Sequence, residues 1–326
     1  MRRYLFIISL FACALATGAG AATPDYRQSG NNHFFNLEYD EAIGDFTRLV
    51  EQDPEDPLAY NLLASAQLYK ELYRLGLLES SALRGDNQFL QQKRPQADPQ
   101  AKAQFEETLA RGRRAAESML DRNRRHQIAH YALGTNYALR GNYEFMVEKS
   151  WFAALRSGSK GREYCEQLRK LNPDFVDAYL VLGVQEYVVG SLPLPVKLLA
   201  AIGGMHGSKQ KGETYVRRVA REGRYARNDA RVLLVILYRR ERRPLEAARL
   251  LEELIADFPR NYVLGLELGS MYSDAGQFDR ALVTFQDLLR KADEHAPGYD
   301  RLPRQAVQRK IARLEAQLAG HPRTGS

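Results

Sequence analysis

The sequence predicts an all-α protein, a row of antiparallel helical hairpins stacked into a solenoid, with insertions and a C-terminal capping helix. The first observation is the spacing of Leu268, Gly269, Tyr272, Gly276, Phe278, Ala281 and Phe285. Gly269 and Ala281 are small where two antiparallel helices approach closely, Tyr272 and Phe285 fill the space beside them, and Gly276 turns the chain. The second is recurrence: Leu234, Tyr238, Ala247 and Leu251 repeat the register upstream, followed by a helix-stopping Pro259. The third is length, since 326 residues are many for one compact core and ordinary for a stacked array.

The chain opens on Arg2 and Arg3, an apolar run from Tyr4 to Leu15 and small residues ending Ala19-Gly20-Ala21. This is the pattern of an export signal over residues 1–22, cleaved after Ala21 or Ala22. The run is too short to span a bilayer. Leu10-Phe11-Ala12-Cys13 offers the alternative of lipoprotein processing at Cys13. The expected location is therefore outside the cytoplasm, in the periplasm or associated with the cell envelope. With Cys13 removed, Cys165 stands alone, no internal disulfide can form, and stability rests on helix packing.

The solenoid is expected over residues 23–302. Tyr26, Gly30, Ala42, Phe46 and Pro54 make a first hairpin, with Asp40 and Glu41 where acids favour a helix start. Tyr60, Leu63 and Ala64 place the next first helix over 57–71. Residues 72–100 read as an insertion holding Gly85-Asp86-Asn87 and Pro95, before a helix over 103–123. His130, Leu133, Gly134 and Tyr137 belong to a first helix over 127–140. Ser157-Gly158-Ser159-Lys160-Gly161 is expected to break the helix that follows, which resumes at Arg162. After Pro173, Tyr179 and Leu182 set a first helix over 176–189. A further interruption covers 190–212, with Gly190-Ser191-Leu192-Pro193-Leu194-Pro195, an apolar stretch from Val196 to Ile202, and Gly203-Gly204. First helices then follow over 228–241 and 262–275, and Ala247, Leu250, Leu251 and Leu254 form one apolar stripe between them. Val307, Ile311, Leu314 and Leu318 share a face of a capping helix over 303–319, which would cover the exposed end of the array. Residues 320–326 are expected to be a flexible tail.

Formal net charge is +7, and arginine concentrates in two patches. One holds Arg111, Arg113, Arg114, Arg122, Arg124 and Arg125; the other runs from Arg217 to Arg243. Such patches can attract anionic lipid heads, polyanions or acidic peptides. Glu213, Glu222 and Glu241 offer the alternative of solvated, paired helix faces. An exported protein seldom meets nucleic acid, so none is expected as a partner. The sequence sets no oligomeric state.

Little in the chain points to catalysis. His126 and His130 have the spacing of a zinc-protease helix, but Gln127 stands where the general base would be, and a neutral amide cannot take a proton from zinc-bound water. Packing of His130 is the favoured reading. Cys165 lies in an ordinary packing helix with no histidine near it in sequence. Gly203, Gly204 and Gly207 lack the Gly-Lys-Ser/Thr ending of a phosphate loop. No catalytic residue, metal or cofactor is expected. The stretch from Leu192 to Ile202 could lie on a membrane surface or plug the inside of the superhelix.

The hairpin spacings are similar to those of tetratricopeptide repeats. The segment from Tyr187 through Gly190, Pro193, Pro195, Lys197, Gly203-Gly204 and Gly207-Ser208-Lys209 to Gly212 further resembles bacterial relatives of the eukaryotic inclusion-body-clearance family of such proteins. In that family a Gly-x-x-x-x-Pro stretch, an apolar helix and a Gly-rich turn precede a helix that opens with Gly. The resemblance to tetratricopeptide proteins implies a ligand groove lined by first helices. Here that groove would present Asn31, Asn61, Tyr69, Tyr131, Tyr187, Arg239, Arg240 and Ser273, residues suited to an extended peptide. The function implied is an exported, non-enzymatic scaffold for a protein or peptide partner. The alternative is a peripheral membrane protein using the apolar insertion and the arginine patch on an anionic surface.

Overall fold

The computed structural model describes residues 25–78, 96–192, 194, 197 and 206–320, so the segment expected to be an export signal, most of both long insertions and the tail after Gly320 lie outside the described residues. Within them the chain makes six helical hairpins and a final helix. The hairpins are α1 (Tyr26–Phe35) with α2 (Tyr39–Gln52), α3 (Pro57–Arg74) with α4 (Pro99–Arg122), and α5 (Gln127–Met146) with α6 (Trp151–Leu171). They continue with α7 (Ala178–Gly190) and α8 (Lys209–Glu222), α9 (Arg227–Arg240) and α10 (Pro244–Asp257), α11 (Tyr262–Asp274) and α12 (Phe278–Asp293). The capping helix is α13 (Arg304–Gly320). No strand occurs among the described residues.

Local sequence sets the helix starts. Asp56-Pro57 and Asp98-Pro99 repeat one device: the aspartate side chain accepts from Leu58 N–H or Gln100 N–H, and the proline fills the first helical position, where its missing N–H leaves nothing unpaired. Asn261 caps α11 by accepting from Val263 and Leu264 N–H. Turns inside the hairpins use the left-handed backbone region, at Leu37 (φ 65°), Lys149 (φ 53°), Arg242 (φ 58°) and Gly276 (φ 73°). Only glycine adopts it without a steric penalty, which suits Gly276 to its place.

Packing follows the sequence pattern closely in the sixth hairpin. A Cβ added to Gly269 would lie 2.7 Å from the Phe285 ring, so only glycine admits that ring. Phe285 is 2% exposed, Tyr272 3% and Ala281 fully buried. One apolar core runs from Leu58 through Leu133, Leu182, Val216, Leu251 and Met271 to Leu314. Two smaller clusters sit at the N-terminal end, around Phe46 and around Leu109. Val307 and Leu314 of α13 are buried, so the last helix does cover the end of the array, while Ile311 is only half buried.

One expected break is absent. α6 is continuous from Trp151 to Leu171, straight through residues 157–161. The small residues there serve contact rather than interruption. A Cβ on Gly161 would lie 2.8 Å from Gly134 O, and one on Gly141 would lie 3.2 Å from Ala154 O and 3.5 Å from Ser157 Cβ. Glycine and serine on facing stretches of α5 and α6 let the two backbones meet. The glycines flanking 190–212 act likewise: a Cβ on Gly207 would lie 2.6 Å from Val189 Cβ, and one on Gly212 would lie 2.6 Å from Tyr187 N.

The array also curls until its ends meet. Phe35 stacks on Phe258 with ring centroids 4.9 Å apart. Arg260 forms a two-pronged bond to Glu38, Nε to Oε1 at 2.6 Å and Nη2 to Oε2 at 2.8 Å, and its backbone N–H donates to Asn36 Oδ1 at 3.0 Å. Asn261 Nδ2 donates to Phe35 O at 2.7 Å, and the hydroxyls of Tyr73 and Tyr262 are 3.0 Å apart. The first two hairpins thus touch the turn between the fifth and sixth.

Candidate partner-binding face

First helices line the inside of the curl, with α3 packed on α5 and α5 on α7. The residues expected on an open groove take up different positions there. Asn61 is buried and fully engaged: its Nδ2 donates to Ala132 O (2.8 Å) and Thr135 Oγ1 (2.7 Å), and its Oδ1 accepts from Asn136 Nδ2 (3.0 Å). Asn136 Nδ2 also donates to Leu109 O at 3.0 Å, so this pair ties α3, α4 and α5 together. Tyr131 is buried against Phe175 and Tyr225, at centroid distances of 5.2 and 5.6 Å. Burial holds its hydroxyl well above the usual tyrosine range, with Asp177 adding to the effect. Tyr187 is 3% exposed. Asn61, Tyr131 and Tyr187 therefore cross from groove to core, because the tight curl brings first helices into direct contact.

The others keep some surface. Tyr69 is half-buried with its ring 5.1 Å from Phe34, and Asn31 is half-buried on α1. Arg239 lies between Glu267 (2.6 Å) and Asp274 (3.6 Å), so its charge is committed within the protein. Ser273 borders a recess between α11 and α13 together with Lys310 and Arg313. Arg240 alone among the eight is exposed. It lies 5.6 Å above the Tyr187 ring, whose hydroxyl donates to Glu241 at 2.6 Å, while Lys209 reaches the same carboxylate at 2.9 Å. Those two hydrogen bonds, from Tyr187 first, hold the Glu241 carboxyl below the usual range. The structure thus brings Tyr187 and Arg240 together, while Asn61 and Tyr131 lie in the core and Tyr69 shares the neighbourhood of Asp229 with Tyr131.

A residue that sequence spacing passed over lies on the same inner side. Asp229, in the first turn of α9, is half-buried, and its carboxyl is pushed up to about 6, mainly by loss of water, against a partly offsetting hydrogen bond from its own backbone N–H. Repulsion from Asp177 adds to the shift. Asp177 itself is satisfied by three backbone amides, those of Arg224, Tyr225 and Ala226.

Among the described residues, neither the His126–His130 pair nor Cys165 is arranged for reaction. His126 sits outside α5 as its N-cap, accepting from Ala129 N–H at 3.3 Å, so it does not share a helix face with His130. His130 is buried with Nε2 3.0 Å from Arg124 O. Cys165 is fully buried and burial pushes its thiol up to about 12, so it is un-ionised at neutral pH. Among the described residues no cluster of three His, Cys, Asp or Glu could hold a metal, and no helix is long and apolar enough to cross a membrane. The expected Gly203-Gly204 turn lies outside the described residues, as does most of the apolar run through Ile202.

The second arginine patch is largely paired. Arg231 reaches Asp257 (2.6 Å) and Glu253 (3.5 Å), Arg217 reaches Glu213 (2.5 Å), and Arg243 bridges Glu213 and Glu246. The first patch splits by helix face: Arg113 turns inward over the Tyr137 ring (5.1 Å), whereas Arg111, Arg114 and Arg122 point out from α4.

Comparison with known proteins bears on the fold. Tetratricopeptide-repeat family models match residues 238–318 and 28–76. Among solved structures, a thermophilic TPR protein of Thermus thermophilus is 17% identical, with 76% of this chain and 96% of that chain covered and a TM-score of 0.40. Yeast Tom70 is 12% identical over 90% and 89% of the two chains, with a TM-score of 0.27. No curated protein matches significantly. With helical hairpins throughout the described residues, the chain carries tetratricopeptide repeats over residues 28–76 and 238–318.

Proposed function

We propose that this protein is an exported, non-enzymatic scaffold that holds a protein or peptide partner in the cell envelope. The observation that carries this reading is the repeat array itself, an architecture whose stacked hairpins present extended surface rather than a catalytic cleft. The N-terminal Arg2-Arg3, apolar run and small-residue ending support export. On the inner side the contact point is the Tyr187–Arg240 pair, where an exposed guanidinium can grip a partner carboxylate or backbone carbonyl. The 187–212 segment keeps kinship with the inclusion-body-clearance group as part of the proposal. Crosslinking in cells followed by affinity capture tests it, comparing the wild-type chain with Arg240→Glu. A partner retained by the first and lost by the second is expected, and identical partner sets would remove Arg240 from the contact. Fractionation and sequencing of the mature N-terminus test export, with residue 22 or 23 expected first.

A second reading draws on exposed apolar side chains beside the 190–212 insertion. Phe152 is 82% and Leu194 76% exposed, with Val188 at 39%. The antiparallel α6 and α7 are linked by Arg162 and Glu186 at 3.5 Å, which places Phe152 and Leu194 toward the same end. That end could rest on an anionic membrane. Flotation with anionic vesicles discriminates: loss of binding in Phe152→Ser/Leu194→Ser would favour the membrane, and no binding by the wild type would end it.

A further inference from the structure

The outward face of α4 is built differently from the paired arginine surfaces elsewhere. Arg111, Arg114, Ser118 and Arg122 recur at helical spacing, so they share one face over about 16 Å at ~1.5 Å per residue. They line a recess of about 300 Å³ whose floor is Tyr60 and whose rim carries Glu55. Gly112 makes the floor possible, because a Cβ there would lie 2.7 Å from Tyr60 Cβ. Three guanidinium groups thus face a single lining carboxylate.

Their present bonds leave them available. Arg111 has no carboxylate partner among the described residues: it donates to Tyr60 Oη at 3.2 Å and lies 5.1 Å over that ring. Arg122 reaches Glu55 at 3.4 Å and Arg114 reaches Glu107 at 3.3 Å, all with side chains more than half exposed. Exposed pairs of this length are worth about 0–1 kcal/mol and yield to a better acceptor. By contrast Arg231 and Arg239, in the other patch, have side chains only 9% and 10% exposed against their acids.

We propose that this face of α4 is a docking site for an acidic peptide segment of a partner. The spacing decides the class of ligand. A row of cations along ~16 Å matches an extended chain of about five residues at ~3.3 Å each, with carboxylates on alternate residues turned to the helix. A single small oxyanion would engage one end of the row only. Arginine pairs with carboxylate through two parallel N–H bonds, which gives such a row geometric as well as electrostatic selectivity. Because the arginines line a recess rather than a convex ridge, a chain reaches all three more readily than a flat lipid surface does. The site lies on a second helix, away from the Tyr187–Arg240 pair, and depends on the scaffold reading only for the existence of a partner.

Fluorescence anisotropy with fluorescein-labelled hexaglutamate tests it on the whole protein, without any natural partner. The wild type is compared with Arg111→Ala/Arg114→Ala/Arg122→Ala and with Arg227→Ala/Arg249→Ala/Arg309→Ala, which removes equal charge elsewhere. Ser118→Glu places a carboxylate in the recess and leaves every arginine, so it serves even if the triple variant unfolds. Binding by the wild type, a loss of about tenfold or more in the recess triple and in Ser118→Glu, and little change in the distant triple are expected, a decade being the loss of one good charged contact. Hexaglutamine should not bind, and inorganic phosphate at equal charge should compete weakly. Equal losses in the two triples, no hexaglutamate binding, or anionic vesicles bound through the same arginines in its place would overturn the proposal. Failure here leaves the inner-face scaffold untouched, and failure to capture an envelope partner leaves this site untouched.

Discussion

Two glycines three residues apart on α6 should respond to the same substitution with opposite sign. Gly158 lies inside the helix with nothing within 4 Å of an added Cβ. Alanine there removes glycine's backbone entropy and meets no neighbour, so Gly158→Ala should stabilise the protein by about 0.5–1 kcal/mol. At Gly161 the same methyl group would lie 2.8 Å from Gly134 O, 3.4 Å from Ala138 N and 3.5 Å from Tyr137 Cβ. The first of these is backbone and cannot swing aside, so α5 and α6 must separate. Overpacking of this kind costs about 1–3 kcal/mol, and the helix-propensity gain offsets only part of it. Gly161→Ala should therefore destabilise by about 1–2 kcal/mol, leaving the two variants ~2 kcal/mol apart. Urea unfolding followed by far-ultraviolet circular dichroism reads the difference, with the slope unchanged if only stability moves. A destabilised Gly158→Ala would refute the reasoning, because it would mean that the helix is interrupted at 158 after all.

Other positions give separable outcomes. The Asp229 carboxyl sits at about 6 in the folded state against an ordinary value of 3.8, so the native state binds the extra proton more tightly and stability falls as pH rises between those values. Asp229→Asn should accordingly stabilise by up to about 2–3 kcal/mol at pH 8 and have little effect below pH ~4, as melting curves across pH would show. Gly276→Ala forces a left-handed φ of 73° on alanine with no other contact affected, and should lower stability by about 1 kcal/mol in the same urea assay. Cys165 should resist thiol reagents until the protein opens, since the thiol is both buried and un-ionised. Mass spectrometry of its peptide would show labelling that tracks unfolding, and rapid labelling of the folded chain would contradict the burial.

Much of the fold was legible because hairpin packing needs particular residues at particular steps. Gly269 and Phe285 state their contact in the sequence, and the same register places α3, α5, α7, α9 and α11 within a turn or so of their observed ends, α5 running longest beyond expectation. The 157–161 segment misled for a physical reason: glycine and serine signal a break when helices are read singly, and a close approach when two helices are read together. The groove was harder. Asn61 and Tyr131 occupy the steps that face inward, but how far inward depends on how tightly the array curls, which no single repeat encodes. That curl is set by contacts such as Glu38 with Arg260 and Asn36 with the Arg260 N–H, between residues more than two hundred positions apart. Neither partner belongs to a repeat signature. The α4 arginines were visible as a patch, whereas the separation of Arg113 from Arg111, Arg114 and Arg122 needed the helix orientation.

The closed curl is the claim on which the meeting of the first hairpins with the turn between the fifth and sixth depends, and a double-mutant cycle between Glu38 and Arg260 tests it most directly. Their side chains are 25% and 31% exposed and share two charged hydrogen bonds. Such a half-buried, two-pronged pair should show a coupling of about 1–2 kcal/mol between Glu38→Gln and Arg260→Ala. A coupling of that size can arise only if the first hairpin touches the turn between the fifth and sixth. Additive effects, with no coupling beyond error, would mean that the array is open in solution and its inner face free.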